Sequence, residues 1–226
     1  MIIGKGATGQ GLDYNVDLVM CIDGTGSMGH IIKEVKENAL TFYKKFTIAM
    51  EEVDKSVQQL RVKIILFRDI GVDSDSMVES KFFVLGEDGE DEEFHKFVDS
   101  IEAVGGGDLP ESSLEALALA INSDWVRTGS VRRHVIHMYT DAPALKLGEK
   151  SSCAGYPAGM PADLAELREW WDGQRMELRA KRLQIFAPDT EPWSDIATWS
   201  NAFHVPGVDL KSTDLDTCIH LLVQSI

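Results

Sequence analysis

The stretch Val16-Asp17-Leu18-Val19-Met20-Cys21-Ile22-Asp23-Gly24-Thr25-Gly26-Ser27 decides the fold. Its first seven residues are a mostly apolar run, the pattern of a strand covered on both faces. The run stops at an acid, two glycines and two hydroxyls. Beyond them apolar residues recur at Ile32, Val35, Ala39, Phe42, Phe46, Ala49 and Val53. Steps of three and four put these on one face of a helix over Met28–Val53. A buried strand that feeds a helix through a short polar turn opens a parallel α/β sheet.

The rest of the chain keeps the alternation. Val62–Phe67 predicts a second strand, and Lys81–Leu85 a third at a sheet edge. The acidic run Glu87–Glu93 leads into a helix carrying Phe94, Phe97, Val98 and Ile101. Further on, the pattern predicts a helix over Ser112–Asn122, a strand over Val131–Tyr139 and a helix over Ala162–Arg179. That last helix has Leu164, Leu167, Trp171 and Leu178 on its apolar face. Leu183–Ala187 and Phe203–Val205 read as strands, Trp193–Trp199 and Leu215–Ser225 as helices. The expected fold class is α/β, doubly wound: a mainly parallel sheet with one antiparallel edge strand and helices on both faces. Gly4, Gly6, Gly9 and Gly11 mark residues 1–14 as a flexible arm ahead of one domain, residues 15–226.

Composition narrows the function. Among 226 residues, 37 acids against 22 bases give a formal charge of −15, which would repel nucleic-acid phosphates. Such a chain suits a cation or a basic partner instead. No apolar run approaches the roughly 20 residues that span a bilayer, so no membrane partner is expected. The N-terminus lacks the apolar core of a secretory signal. The three cysteines, Cys21, Cys153 and Cys218, are odd in number and widely spaced, which reads as reduced thiols in a cytoplasmic protein.

Ligands of a doubly wound sheet bind at the carboxyl ends of its strands. The residues that follow the strands here are oxygen-rich: Asp23-Gly24-Thr25-Gly26-Ser27, then Asp69, then Thr140-Asp141-Ala142-Pro143. The loop before the middle helix adds Asp108-Leu109-Pro110-Glu111. Carboxylates and hydroxyls are hard ligands, suited to Mg2+, Mn2+ or Ca2+ rather than zinc or copper. Alternate side chains of an extended segment face one way, so Asp23, Thr25 and Ser27 can address one ion. Taken singly, Ser27 also reads as a helix cap and the glycines as turn residues.

In this order the motifs resemble the von Willebrand factor A domain, a Rossmann-like module also called the integrin I-like domain. The resemblance covers about residues 15–226. It rests on Asp23-Gly24-Thr25-Gly26-Ser27 as a DxSxS variant and on Thr140-Asp141-Ala142-Pro143. It implies a metal-ion-dependent adhesion site with Asp23, Thr25, Ser27, Glu111 and Asp141 as ligands and Mg2+, or Mn2+ or Ca2+, as the ion. Asp108-Leu109-Pro110-Glu111 looks like the DxPE loop of integrin β-type domains, which makes Glu111 the ligand of the main site. The same comparison implies a second cation site from Asp69, Asp108, Pro110 and Glu111. There Gly106 replaces an asparagine, and pairing of Asp108 with Arg68 is an equal alternative. His30 and Ile31 stand where a further adjacent site takes acids. The wording is also similar to stand-alone intracellular A domains of microbes, some encoded beside kinases, phosphatases or ATPases.

The implied function is a divalent-cation-dependent protein-binding module, not an enzyme, whose partner offers an Asp or Glu to the metal. Two alternatives stay beside it. One is a structural A domain whose ion only ties loops together. The other is a metal-dependent phosphatase, because Asp23-Gly24-Thr25 overlaps the DxDGT pattern of haloacid-dehalogenase enzymes. That chemistry needs a nucleophilic aspartate where this chain has Cys21. His134 and His137, three apart in a strand, face opposite sides and are not a ligand pair.

Overall fold

The computed structural model describes residues 13–73, 75–106, 110–205 and 214–226. Its strands are β1 (Asp13–Asp23), β2 (Ser56–Phe67), β3 (Met77–Glu79), β4 (Phe83–Leu85), β5 (Val131–Tyr139), β6 (Lys181–Phe186) and β7 (Ala202–His204). The helices are α1 (Gly29–Asn38), α2 (Phe42–Glu51), α3 (Glu90–Ser100), α4 (Ser113–Ile121), α5 (Leu164–Asp172), α6 (Trp193–Ile196) and α7 (Leu215–Ser225). The strand order is β3-β2-β1-β5-β6-β7, and β4 also pairs with β2. β2, β1, β5, β6 and β7 run parallel.

The expected antiparallel edge is present, in two short pieces. β3 pairs with Ile65–Phe67 and β4 with Leu60–Val62. Ser80 bridges them: its N–H donates to the Ile64 carbonyl, and its Oγ accepts the Ile64 N–H at 2.9 Å. β1 starts at Asp13, so Asp13 and Tyr14 belong to the sheet; residues 1–12 of the expected arm lie outside the described residues.

β1 is buried from Tyr14 to Asp23 because helices cover both faces. Val16, Leu18, Met20 and Ile22 pack with residues of α1, α2, α3 and α7. Val19 and Cys21 face the other way, onto α4, α5 and α6. Period-two alternation therefore decides which layer each β1 side chain enters. Asp23 shares the parity of Val19 and Cys21 and points to the α4 side.

The helix expected over Met28–Val53 is two helices. A 3-10 turn at Ala39–Thr41 separates α1 from α2. Local side-chain bonds cause the break: Asn38 Nδ2 donates to the Glu34 carbonyl at 2.9 Å, and Thr41 Oγ1 to the Asn38 carbonyl at 3.2 Å. Val53 falls beyond α2 and is exposed. α5 is shorter than expected. Asp163 caps its start, accepting the Glu166 N–H at 2.9 Å. It stops at Gly173, where a Cβ would lie 2.9 Å from the Glu169 carbonyl oxygen. Leu178, expected on its apolar face, is outside the helix and exposed.

Candidate metal centre

β1 stands where the chain order divides: β2 lies on one side of it and β5 on the other. The carboxyl ends of β1 and β5 therefore flank the switch point at which open α/β sheets bind ligands. Asp23 ends β1 and is fully buried. Its Oδ1 accepts the Thr25 N–H at 2.9 Å, and its Oδ2 accepts the Thr140 hydroxyl at 2.8 Å. Thr140 lies just past β5 and its Oγ1 also accepts the Ala142 N–H at 3.1 Å, which fixes the turn before Asp141 and Pro143.

The chain of contacts continues to the surface. Thr25 Oγ1 and Ser27 Oγ are 3.2 Å apart, and Ser27 Oγ donates to Asp141 Oδ1 at 3.0 Å. Asp23 and Thr25 are buried, whereas Ser27 and Asp141 are exposed. Ser27 lies inside a 3-10 turn, Gly26–Met28, and is the cap of neither that turn nor α1, whose cap positions are Thr25 and Met28; its hydroxyl contacts Thr25 and Asp141 instead.

Glu111 enters from the α4 side. It does not open the helix, which starts at Ser113. Instead its backbone pairs with the strand-like segment after β5: its N–H donates to the Pro143 carbonyl at 3.1 Å and its carbonyl accepts the Leu145 N–H at 2.8 Å. The side chain is buried, and Oε2 has no hydrogen-bond partner among the described residues. Burial, then the charges of Asp23, Asp69, Asp73 and Asp141, push its carboxyl up to about 8. Burial likewise raises Asp23, against the lowering effect of its Thr25 and Thr140 hydrogen bonds.

The loops are held by main-chain bonds and one arginine. The Gly24 N–H donates to the Phe67 carbonyl at 2.8 Å, and the Val104 N–H to the Gly24 carbonyl at 3.1 Å. A Cβ at Gly24 would lie 2.9 Å from Leu66 Cγ and 3.0 Å from Arg68 Nε, so any side chain there would displace Leu66 or Arg68. Buried Arg68 donates to the carbonyls of Gly24, Val104, Asp75 and Glu102 at 2.7–3.1 Å. Among the described residues it binds no carboxylate. Asp108, its alternative partner, lies outside the described residues, so of the expected second-site set the structure describes Asp69, Pro110 and Glu111.

Three site features were not among the expected site residues. Thr140 stood in the quoted motif, but its bond to Asp23 depends on the β1–β5 register. Asp73, whose buried Oδ2 has no partner among the described residues, lies on a loop folded back against Gly105. Lys150 reaches Asp69 from 81 positions away in sequence. Ile31, where a further site would take an acid, is a core residue.

These residues fit a hard divalent cation. Glu111, Asp69 and Asp73 each keep a buried carboxylate oxygen without a hydrogen-bond partner among the described residues, a donor set that such an ion would satisfy. Among the described residues, no three His, Cys, Asp or Glu side chains form a ready ligand group; two of the oxygens here are hydroxyls.

A family model of the von Willebrand factor A domain matches residues 17–153, from β1 through the loop after β5. The chain belongs to the von Willebrand factor A domain family. No curated protein matches this A domain. Crystal structures of the pilus adhesin SpaC from Lactobacillus rhamnosus GG resemble it over 92% of its length at 10% identity, with TM-scores of 0.55 and, for the open conformation, 0.53. Those matches cover 30% and 29% of the SpaC chain, so the A domain spans less than a third of that adhesin. At this identity the likeness shows the fold alone.

Proposed function

We propose that this A domain is a protein-binding module that depends on a divalent cation, Mg2+ with Mn2+ or Ca2+ as alternatives. Asp23, Thr25, Ser27, Glu111 and Asp141 would hold the ion, directly or through water. Bound there, the ion supplies positive charge that attracts a carboxylate. The chain's part is to bury one side of the site and leave the other in solvent. The supporting observation is that polarity of burial: Asp23 and Glu111 are buried, and Ser27 and Asp141 are exposed beside them. An ion that only tied loops together would be enclosed on all sides. An open face lets an Asp or Glu of a partner protein complete the ligand set.

The same reading makes the domain a binder rather than a catalyst. Burial pushes the Cys21 thiol far up and keeps it protonated. Its Sγ lies 3.7 Å from the Ala116 carbonyl, turned into the α4 core and away from the site. Three free cysteines are consistent with the cytoplasmic location that belongs to this proposal, with kinase, phosphatase or ATPase assemblies as the setting. No helix among the described residues is long and apolar enough to cross a membrane.

The test is capture of partners by the full chain with Mg2+ and with chelator, read by mass spectrometry. The proposal expects proteins recovered with Mg2+ and lost both with chelator and with Asp23→Ala. Equal recovery under all three conditions would contradict it.

A further inference from the structure

Asp69 is one of the acids whose charge acts on Glu111. The two are 5% and 2% exposed, and each keeps one oxygen, Asp69 Oδ1 and Glu111 Oε2, without a hydrogen-bond partner among the described residues. Lys150 faces Asp69 from the loop between β5 and α5. Its Nζ is 3.4 Å from Oδ1 and 3.5 Å from Oδ2. It straddles the carboxylate as an ion pair, the Oδ1 contact falling outside hydrogen-bond geometry.

The loop that delivers Lys150 is fixed at several points. The Gly148 N–H donates to Glu115 Oε1 at 3.3 Å, and the Cys153 N–H to the Lys150 carbonyl at 2.9 Å. Cys153 packs on Gly71, where a Cβ would sit 2.8 Å from Sγ. Lys150 is thus held beside Asp69 by the fold and only partly exposed.

We infer that the Lys150 ammonium is the resident cation of the Asp69 side of the cluster, so that this domain takes one divalent ion and not two. The inference deepens the proposed function and rests on it for the first ion. A second dication on Asp69 would have to sit within ion-pair range of an ammonium, and like charges at that distance repel. The lysine neutralises Asp69 without a second ion being stripped of water. Without it, buried Asp69 keeps its charge close to Glu111 with no counter-ion among the described residues, and the position becomes attractive to a dication.

The test is Mn2+ titration of the full chain, counting bound ions from the loss of the free-ion electron paramagnetic resonance signal. Wild type and Lys150→Arg bind one ion. Lys150→Ala and Lys150→Gln bind two; the glutamine keeps the side-chain length should the alanine fail to fold. Two ions on the wild type, or one on both neutral variants, overturns the inference. No ion on the wild type but one on Lys150→Gln would sustain the lysine's role and sink the proposed main site. No ion on any of the four overturns both.

Discussion

Replacing Glu111 with glutamine in chelated protein should change the pH dependence of stability by a predictable amount. The folded carboxyl is pushed up to about 8, by burial first and then by four neighbouring aspartates. In the unfolded chain it returns to the usual range near 4.5. A group raised on folding contributes stability that is complete below the unfolded value and lost as pH rises through the folded one. From pH 5.5 to pH 8 that loss is about 3 kcal/mol for this one carboxyl. Glutamine cannot ionise. A buried amide atom left unpaired costs about 1–3 kcal/mol, but equally at each pH. Urea denaturation in EDTA, followed by the fluorescence of buried Trp125, Trp171 and Trp193, gives the comparison. The stability of Glu111→Gln relative to wild type should improve by about 3 kcal/mol between pH 5.5 and 8. Parallel pH profiles for the two proteins would refute the claim that burial and neighbouring charge raise the Glu111 carboxyl.

Other perturbations probe other parts of the account. Mg2+ or Mn2+ should raise the melting temperature of wild type by binding the folded state, and a thermal scan of Asp23→Ala should show no such rise. His137 is fully buried and held down to about 3 by burial, so acid should destabilise the fold as pH drops from about 6.5 toward 3, by at most about 1.4 kcal/mol per unit from this group; denaturation of His137→Phe should show a shallower slope. Arg68→Met removes charge-assisted bonds to four loop carbonyls and should cost about 2–4 kcal/mol in urea denaturation. Phosphate-ester assays with Mg2+ should find no turnover that Asp141→Ala abolishes.

What the sequence revealed and what it hid have physical causes. β1 was legible because Leu18–Ile22 is apolar throughout, and β5 because its buried half carries Val135, Ile136, Met138 and Tyr139, although His134 and His137 interrupt that run. The Asp23, Thr25, Ser27 and Asp141 set was legible because strand ends in such a sheet gather at one edge. The 3-10 turn at Ala39–Thr41 was hidden, because Val35, Ala39 and Phe42 keep the helical apolar spacing across it while the Asn38 and Thr41 side chains capture the backbone. The end of α5 was hidden by the apolar Leu178, which continues the period past Gly173. Lys150 was out of reach of sequence reasoning, since nothing local in the loop says that it meets Asp69. The hydrogen bond from Thr140 to Asp23 likewise depends on β1 and β5 lying side by side, from Tyr14 opposite Val131 to Ile22 opposite Tyr139.

In the proposed function, the buried and exposed oxygens around the carboxyl end of β1 hold one hard cation with a free position. A crystal structure with Mn2+ tests it most directly. An anomalous peak is expected beside Ser27, reached by Asp23, Glu111 and Asp141 directly or through water, with one coordination position open to solvent. A peak ligated by Asp108 with Glu111 turned to solvent, a peak closed on all sides by the chain, or no peak at this position would contradict it.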